Sequence, residues 1–422
     1  MRFQRLVGGV FLLGVFAFLP NLVFAQSIQD EIADLKLRIM KLEKQLVKQE
    51  EATVKQIEAQ ESLKKIKEAF EGFSIGGGTT FIAQGTDNAN GDQLSKNGED
   101  ILEASYSLDL EFEKQFDDYA TTFLHLETGH GMGVENELKL FSGVNRDIDD
   151  SDSGVNITEA WYEHRFSLFT LTFGKIDSSG YIDINQYAND ESRQFLGRIF
   201  KNSPVIEFPD DNSAGMIFLL EPADFIEVTL VMADAEADWQ GLLDNIFIAG
   251  QLNIKPSLFT RTGNYRVCCW LNDKEHTKWE DSTKTKKESY GFGISFDQVL
   301  TDNLGAFIRY GWQDPDVFMN GNDFSLEHAW SVGLQLGGSL WGRSDDRFAF
   351  AFGQILPSDD YKDANSLRGK SEEHLEAYYS LCVNDNFTLS PDLQVIWDPY
   401  GGDAANGHKT IMIGGLRAQV DF

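Results

Sequence analysis

Charged side chains recur at every second position in several short segments of this chain. In residues 104–113, Asp109 and Glu111 alternate with Leu108 and Leu110, and this period of two places acids on one face of a β-strand and apolar residues on the other. Where such polar faces enclose water, opposed acids and bases order that water and offer donors and acceptors to sugar hydroxyls, whereas rings of one sign select ions. For each single residue, an ordinary solvated wall position is the plainer interpretation. The candidates on predicted inward faces are Asp109, Glu111, Glu127, Glu159, Glu163, Arg165, Lys175, Arg266, Arg309, Glu376 and Arg417.

Signals for other chemistry are weak. The run Gly76–Gly78 is not followed by the Lys-Ser or Lys-Thr pair of a phosphate-binding loop. His125 and Glu127 can share an inward face, but a solvated lining is favoured there over a metal site. The three cysteines do not form a disulfide framework. We therefore expect no catalytic residues, no cofactor and no resident metal, and we expect that the protein is not an enzyme.

Residues 1–25 have the order of a secretory signal peptide. Arg2 and Arg5 precede an apolar run, which ends at a Val-Phe-Ala triplet before Gln26. An N-terminal membrane anchor is the less favoured alternative, because Pro20 interrupts the run. Beyond this segment the sequence has no stretch of ~18 consecutive apolar residues, so membrane-spanning helices are excluded there.

Residues 26–71 predict a long helix. Apolar residues recur there with alternate spacings of four and three, which is the heptad seam of a coiled coil. A helix of this length would extend ~65 Å at 1.5 Å per residue. A projecting oligomeric helix is favoured over one that packs on its own domain. The seam residues are Ile28, Ile32, Leu35, Ile39, Leu42 and Leu46.

Sixteen short alternating segments follow, and they assign residues 72–422 to one all-β domain. An even number lets an antiparallel barrel close with both ends on the same rim. One alternating strand is equally compatible with a soluble sandwich, so the connections have to decide between the two. The predicted strands are 73–83, 104–113, 119–128, 155–166, 168–175, 213–221, 224–233, 244–255, 259–271, 286–297, 303–312, 327–338, 346–354, 372–383, 386–397 and 409–422.

The connections between these strands alternate between tight turns and long loops, as they do in an outer-membrane barrel. Residues 302–303 and 384–385 are tight, whereas 129–154 and 176–212 are long. Loop 176–212 is the longest and contains many apolar side chains, including several aromatic rings. That is too much apolar surface for a solvated tip, so we expect this loop to fold into the channel.

The chain carries a formal net charge of −31. Residues 26–71 contain ten acids and nine bases, so nearly all of the negative excess lies in residues 72–422. A nucleic acid would be repelled and is excluded as a partner. The acids are explained equally well by solubility of the outer loops and by a cation-favouring pore.

The last strand alternates up to its final residue, Phe422. Leu416, Ala418 and Val420 share the face of Phe422. We expect this strand to pair with the first strand near residues 73–83, because an open barrel would leave unpaired backbone groups in hydrocarbon.

Several motifs resemble the carbohydrate-selective porin family of the OprB type. They lie within residues 72–422, and the Leu-Ser-Pro-Asp-Leu-Gln stretch at 389–394 is the most specific. The motifs are EAWYEHRFSLFTLTFGKID (159–177), YIDINQYANDESRQF (181–195), NSPVIEFP (202–209), GNYRVCCW (263–270), GAFIRYGWQD (305–314), EAYYSLCVNDNFTLSPDLQVIWDP (376–399) and the closing GGLRAQVDF.

The resemblance implies a 16-stranded antiparallel outer-membrane porin, which is a homo-oligomer, by resemblance a trimer, embedded in outer-membrane lipid. It also implies passive diffusion of carbohydrates and other small hydrophilic solutes, with Phe422 serving as an assembly signal. A helical stalk ahead of such a barrel is similar to porins that reach toward peptidoglycan. The alternative function is therefore a tether from the outer membrane to the cell wall, with the pore incidental. An extracellular lectin is disfavoured by the sorting of the loops.

Overall fold

The computed structural model describes residues 22–91, 99–147, 154–209, 212–258, 260–286, 288–319 and 322–422. The predicted signal peptide lies largely outside these residues. The helices are α1 (Leu22–Phe70), α2 (Arg198–Lys201) and α3 (Asp359–Ala364). The strands are β1 (Phe73–Ala89), β2 (Glu99–Gln115), β3 (Ala120–His130), β4 (Asn156–Arg165), β5 (Phe169–Ile176), β6 (Ser213–Ala223), β7 (Ile226–Asp234), β8 (Ile246–Ile254), β9 (Ser257–Leu258), β10 (Arg261–Asn272), β11 (His276–Lys278), β12 (Thr285–Lys286), β13 (Ser289–Thr301), β14 (Leu304–Gln313), β15 (Val317–Met319), β16 (Leu326–Gly337), β17 (Arg347–Pro357), β18 (Glu372–Asn384), β19 (Phe387–Trp397) and β20 (Ile411–Asp421).

The chain divides into two units, Met1–Glu71 and Gly72–Phe422. In the first unit, α1 confirms the predicted helix, which runs without interruption for 49 residues. The seam residues from Ile32 onward are exposed on this single chain. Among the described residues, no helix is long and apolar enough to cross a membrane.

The second unit is a closed antiparallel barrel of sixteen strands, which confirms the predicted count. Each barrel strand pairs with its neighbour along the barrel, and β20 pairs with β1 to close it. Among the described residues, the two-residue strand β9 pairs with β10, in the turn that precedes it. Strands β11, β12 and β15 form a separate small sheet within the long loops, which alternation did not predict.

The strand faces follow the predicted alternation. On β20, Arg417 is 1% exposed and Leu416 is 45% exposed, so the basic residue faces inward and its apolar neighbour faces outward. On β17, Ala349 and Ala351 are buried inside, whereas Phe350 is exposed on the outer surface. The polar faces therefore enclose the interior and the apolar faces surround it.

The closing strand meets the first strand at its last residue. Gly77 N donates to Phe422 O at 3.1 Å, and Phe422 N donates to Gly77 O at 3.0 Å. The pairing continues through Thr79 opposite Val420 and Phe81 opposite Ala418. This is the closure predicted from the terminal alternation, although β1 and β2 both extend several residues beyond their predicted ends.

Candidate pore and its lining

Arg309 holds the loop between β5 and β6 inside the barrel. It faces inward from β14 and is buried. Its Nη1 donates to Phe200 O at 2.8 Å, and its Nη2 donates to the carbonyls of Asp183 and Ala188 at 2.9 and 3.0 Å. Buried backbone carbonyls need partners, and a guanidinium offers several donors at once. Residues 177–209, here called the inward loop, therefore lie inside the barrel, as the loop's length and apolar content predicted.

Glu376 binds the same loop from β18. Its carboxylate is buried and accepts from Leu196 N at 2.6 Å and from Gly197 N at 2.8 Å. A Cβ atom at position 197 would lie 2.8 Å from Glu376 Oε2, so glycine lets the backbone approach this carboxylate. Glu376 therefore accepts hydrogen bonds from two backbone N–H groups that would otherwise need water as their partner.

Arg417 and Arg266 complete the attachment. Arg417 donates to two carbonyls of the inward loop at 2.7 and 2.8 Å. Arg266 forms a buried ion pair with Asp297 at 2.6 Å, and Asp297 accepts from Gln186 N of the loop at 3.2 Å. These two arginines and Glu376 face inward as predicted, but the loop covers them.

Glycines in the wall make room for the side chains of the inward loop. A Cβ atom on Gly305 would lie 2.0 Å from the ring of Tyr187. A Cβ atom on Gly353 would lie 2.6 Å from Cδ1 of Ile199. The loop residues Ile199 and Phe200 are buried against this part of the wall, so the inward loop packs there as a core.

A second loop, residues 131–147, packs against the inward loop. Arg146 N donates to Leu196 O at 2.8 Å, and Arg198 N donates to Gly143 O at 2.9 Å. Glu372 of β18 accepts from two backbone N–H groups of this second loop. Its inward position carries no sequence signal comparable to that of the longer loop, because residues 131–147 contain one aromatic residue, Phe141.

A cavity of about 1110 Å³ remains between these loops and the wall formed by β1–β5 and β20. Its lining is polar, with nine acidic and four basic side chains. The acids are Asp109, Glu111, Glu127, Asp147, Glu159, Asp177, Asp190, Glu191 and Asp421, and the bases are Arg146, Lys175, Arg193 and Lys201. Five of the eleven sequence candidates, Asp109, Glu111, Glu127, Glu159 and Lys175, are thus brought to this cavity.

The acidic side of the cavity is built on β2, β3 and β4. Asp109 stands directly opposite Glu127, and His125 stands opposite Glu159. A β-bulge lies at Thr158 of β4. His125 of β3 pairs with Glu159 and the next residue, Leu126, pairs with Ile157, so Thr158 has no cross-strand partner on β3. Its Oγ1 lies 2.6 Å from His125 Nδ1, and His125 Nε2 lies 3.1 Å from Asp109 Oδ1. Bulges commonly redirect side chains beside functional sites.

Three of the four bases of the cavity lie on the two loops, together with the acids Asp147, Asp177, Asp190 and Glu191. Arg146 is exposed at the end of the second loop, and Arg193 lies on the inward loop with its Nη2 2.8 Å from Asp421 Oδ1. Lys201 forms an ion pair with Glu191. These cations lay outside the alternating strands, so the strand pattern carried no signal for them.

The remaining sequence candidates are Glu163 and Arg165, which lie toward the rim that carries the short turns. Arg165 Nε is 3.1 Å from Glu163 Oε1, and Thr172 Oγ1 donates to Glu163 at 3.4 Å. Both acid and base stand on β4 below the cavity. Lys175 Nζ, at the cavity edge, donates to Ile157 O at 2.8 Å. The structure therefore divides the candidates among the cavity, the loop attachment and the lower rim.

A sixteen-stranded barrel with an apolar outer face and a polar interior defines a channel for small solutes in the outer membrane. The family described as "Carbohydrate-selective porin, OprB family" matches residues 99–422. The chain belongs to this family. An uncharacterised protein of Aquifex aeolicus is 25% identical over 228 residues, which are 53% of this chain and 58% of that protein, so the match spans less than two thirds of the relative.

Solved structures share the fold. The high-pH structure of Pseudomonas putida OprB matches with a TM-score of 0.71 at 14% identity, covering 85% of this chain and 96% of that one. The outer-membrane channel DcaP of Acinetobacter baumannii matches with a TM-score of 0.52 at 12% identity, covering 83% and 97%. At these identities the likeness concerns the fold.

Proposed function

We propose that this channel passes carbohydrates and other small hydrophilic solutes by passive diffusion through the cavity between the two loops and the β1–β5 wall. The observation that carries the proposal is the arrangement of charge around this cavity. Acids on β2–β4 line one side, and the loops on the other side carry both signs: Arg146, Arg193 and Lys201 lie there together with Asp147, Asp177, Asp190 and Glu191. Passive selection in a pore depends on its diameter and on the donors and acceptors that line it.

This arrangement suits neutral, hydroxyl-rich solutes. A sugar leaving bulk water loses hydrogen bonds, and the carboxylate, guanidinium and ammonium groups of this lining offer acceptors and donors in their place. A less hydroxylated solute of equal size gains less from the same lining. The discrimination therefore lies in the lining as well as in the width of the pore.

The eleven sequence candidates divide into three roles. Asp109, Glu111, Glu127, Glu159 and Lys175 line the solute path. Arg266, Arg309, Glu376 and Arg417 act indirectly, because they set the position of the inward loop and hence the width of the pore. Glu163 and Arg165 form a further acid–base pair at the lower rim. Phe422 completes the barrel and is the proposed assembly signal.

The wider setting of the protein belongs to the same proposal. Residues 1–25 act as an export signal, residues 26–71 form an oligomeric coiled coil, and residues 72–422 form the porin domain within outer-membrane lipid. The assembly is a homo-oligomer, by family resemblance a trimer, and the protein is not an enzyme. The exposed apolar seam of α1 supports the coiled coil, since a second copy of the helix would cover it. Contact of the stalk with peptidoglycan is a secondary part of this proposal.

The test compares solute entry into proteoliposomes that contain wild-type or neutralised protein. The variant combines Asp109→Asn with Arg146→Gln, which removes one charge from each side of the cavity. We expect the entry rate of a hexose relative to a polyethylene glycol of similar size to fall by about 2–10-fold, because both donors and acceptors are weakened.

Glu275→Gln is the matched control, since Glu275 is exposed in an outer loop. It should leave the ratio of the two entry rates unchanged. If the doubly neutralised variant keeps the wild-type ratio as well, the facing charges do not select the solute and this part of the proposal fails.

A further inference from the structure

Asp109, His125 and Glu127 each present one ligand atom on the acidic side of the cavity, and these atoms lie within 4.8 Å of one another. All three side chains are half-buried. From the sequence, His125 and Glu127 alone favoured a solvated lining. Alternation along single strands did not show that the pairing of β2 with β3 brings a second carboxylate to the same point.

The pairing at this point is unfavourable unless a positive charge lies beside the two carboxylates. Asp109 and Glu127 are direct cross-strand partners, and like charges in that position destabilise a sheet. Asp109 Oδ1 also lies 3.1 Å from Nε2 of His125, and Glu159 stands opposite His125 on β4. A cation held between the two opposed carboxylates would offset their repulsion.

Thr158 orients the imidazole. Its hydroxyl lies 2.6 Å from His125 Nδ1, while Nε2 points to Asp109 at 3.1 Å. When the threonine oxygen accepts a hydrogen bond from Nδ1–H, the lone pair of Nε2 points toward the carboxylates. Metal-binding histidines are usually fixed in this way by a partner on the other ring nitrogen. The β4 bulge supplies that partner here.

We propose that Asp109, His125 and Glu127 form a binding site for a divalent transition metal such as zinc on the wall of the channel. One imidazole nitrogen and two carboxylate oxygens suit zinc and other divalent first-row transition metals, whereas magnesium and calcium prefer oxygen ligands alone. The cavity side leaves open coordination positions for water. Bound metal would cancel the two negative charges of Asp109 and Glu127. The site therefore goes beyond the diffusion of solutes and would make conductance depend on metal.

The experiment titrates zinc chloride into the full-length, chelator-treated protein in detergent and measures heat by calorimetry. Magnesium chloride is the comparison, because a wall that merely accumulates cations treats the two ions alike. The variants are His125→Ala, Asp109→Asn and Thr158→Val. Heat-modifiable gel mobility establishes that each variant is folded, and single-channel conductance with and without zinc is the second readout.

Glu111→Gln is the matched control. It removes the same charge as Asp109→Asn from the same face of β2 and the same cavity, but it removes none of the three ligands. Loss of charge alone would weaken zinc binding equally in both variants. Loss of a ligand would weaken it in Asp109→Asn far more than in Glu111→Gln.

We expect zinc to bind the wild-type protein more tightly than magnesium does and to lower its conductance. Thr158→Val should weaken zinc binding by about 10–100-fold, the usual effect of removing an orienting partner, and His125→Ala should weaken it at least as much. Equal affinity for the two ions would overturn the proposal. So would zinc affinity that is the same in Asp109→Asn and Glu111→Gln, even if the channel conducts normally.

Discussion

Arg309 Nε lies 3.0 Å from Asp183 Oδ2, and the two side chains are 1% and 0% exposed. The pair joins β14 to the inward loop, and the same guanidinium donates to three loop carbonyls. A charge buried in this way is tolerated only while its partner and its hydrogen bonds are present. The width of the pore is therefore coupled to an ion pair that lies outside the solute path.

Asp183→Asn should destabilise the barrel and loosen the inward loop. The substitution keeps the side-chain volume but leaves the Arg309 charge uncompensated, and breaking a buried pair in this way costs about 3–5 kcal/mol. The measurements are the temperature midpoint of heat-modifiable mobility and the variance of single-channel conductance. We expect the midpoint to fall and the current to become noisier.

Glu163→Gln is the control for this prediction. It breaks the Arg165–Glu163 pair, in which the arginine is 56% exposed, and exposed pairs contribute about 0–1 kcal/mol. Its midpoint should stay near that of the wild type. Equal midpoints for Asp183→Asn and Glu163→Gln would show that the buried pair does not hold the loop.

Deleting residues 185–200 should widen the pore. This segment contributes Phe195, Ile199 and Phe200, which are buried against the barrel wall, and its removal would leave water in their place. Single-channel conductance should rise, and larger sugars should enter proteoliposomes. A deletion variant that assembles but keeps the wild-type conductance would mean that the segment does not restrict the path.

Alternation predicted the strands and their inward faces because a strand has only two faces, and the structure confirms which face is inward. The sorting of short turns and long loops favoured the barrel over a sandwich. The same pattern could not separate Glu111, which lines the cavity, from Glu376, which binds loop amides. Both are acids on inward faces, and the difference lies in what covers them. The covering loop was predictable from its length and aromatic content, but its contacts are not periodic. The position of Asp183 between Ile182 and Ile184 partly indicated its ion pair, since an acid that is buried with such apolar neighbours needs a basic partner.

The channel should favour cations. Nine acids and four bases line the cavity, and low-dielectric walls focus the field of such a lining on passing ions. In a salt gradient the reversal potential should show cation preference, and Asp109→Asn combined with Glu111→Gln should shift it toward zero. Asp385→Asn is the control, because it also neutralises a carboxylate but does so in an exposed turn. Anion preference in the wild type would place the selecting charge on Arg146 and the other loop cations instead.

Deleting residues 26–70 should leave the conductance of the barrel unchanged. The helix and the barrel form separate units, and the first barrel strand, β1, begins at Phe73, after the helix ends at Phe70. Loss of oligomers on chemical crosslinking would assign assembly to the seam of α1. Loss of conductance in a folded helix-deleted protein would contradict the independence of the two units.

Deletion of Phe422 should block assembly while leaving synthesis and export intact. Its backbone forms two hydrogen bonds with Gly77 at 3.1 and 3.0 Å, and these end the ladder between β1 and β20. Without these two hydrogen bonds, the ladder between β1 and β20 loses its last pair, at the rim of the barrel. Backbone groups left unpaired in hydrocarbon cost several kcal/mol each.

The alternative to this closure is a shifted register, which the side chains disfavour. A slip of one residue would turn Arg417 and Gln419 outward and Leu416 inward. Placing the arginine at the membrane midplane would cost about 2–4 kcal/mol. Phe422→Ala keeps both backbone hydrogen bonds and serves as the control that separates the backbone from the ring. In outer-membrane fractions, the deletion should abolish the compact, heat-modifiable band. A deletion variant that still gives a compact, protease-resistant band would refute the role of Phe422 in closing the barrel.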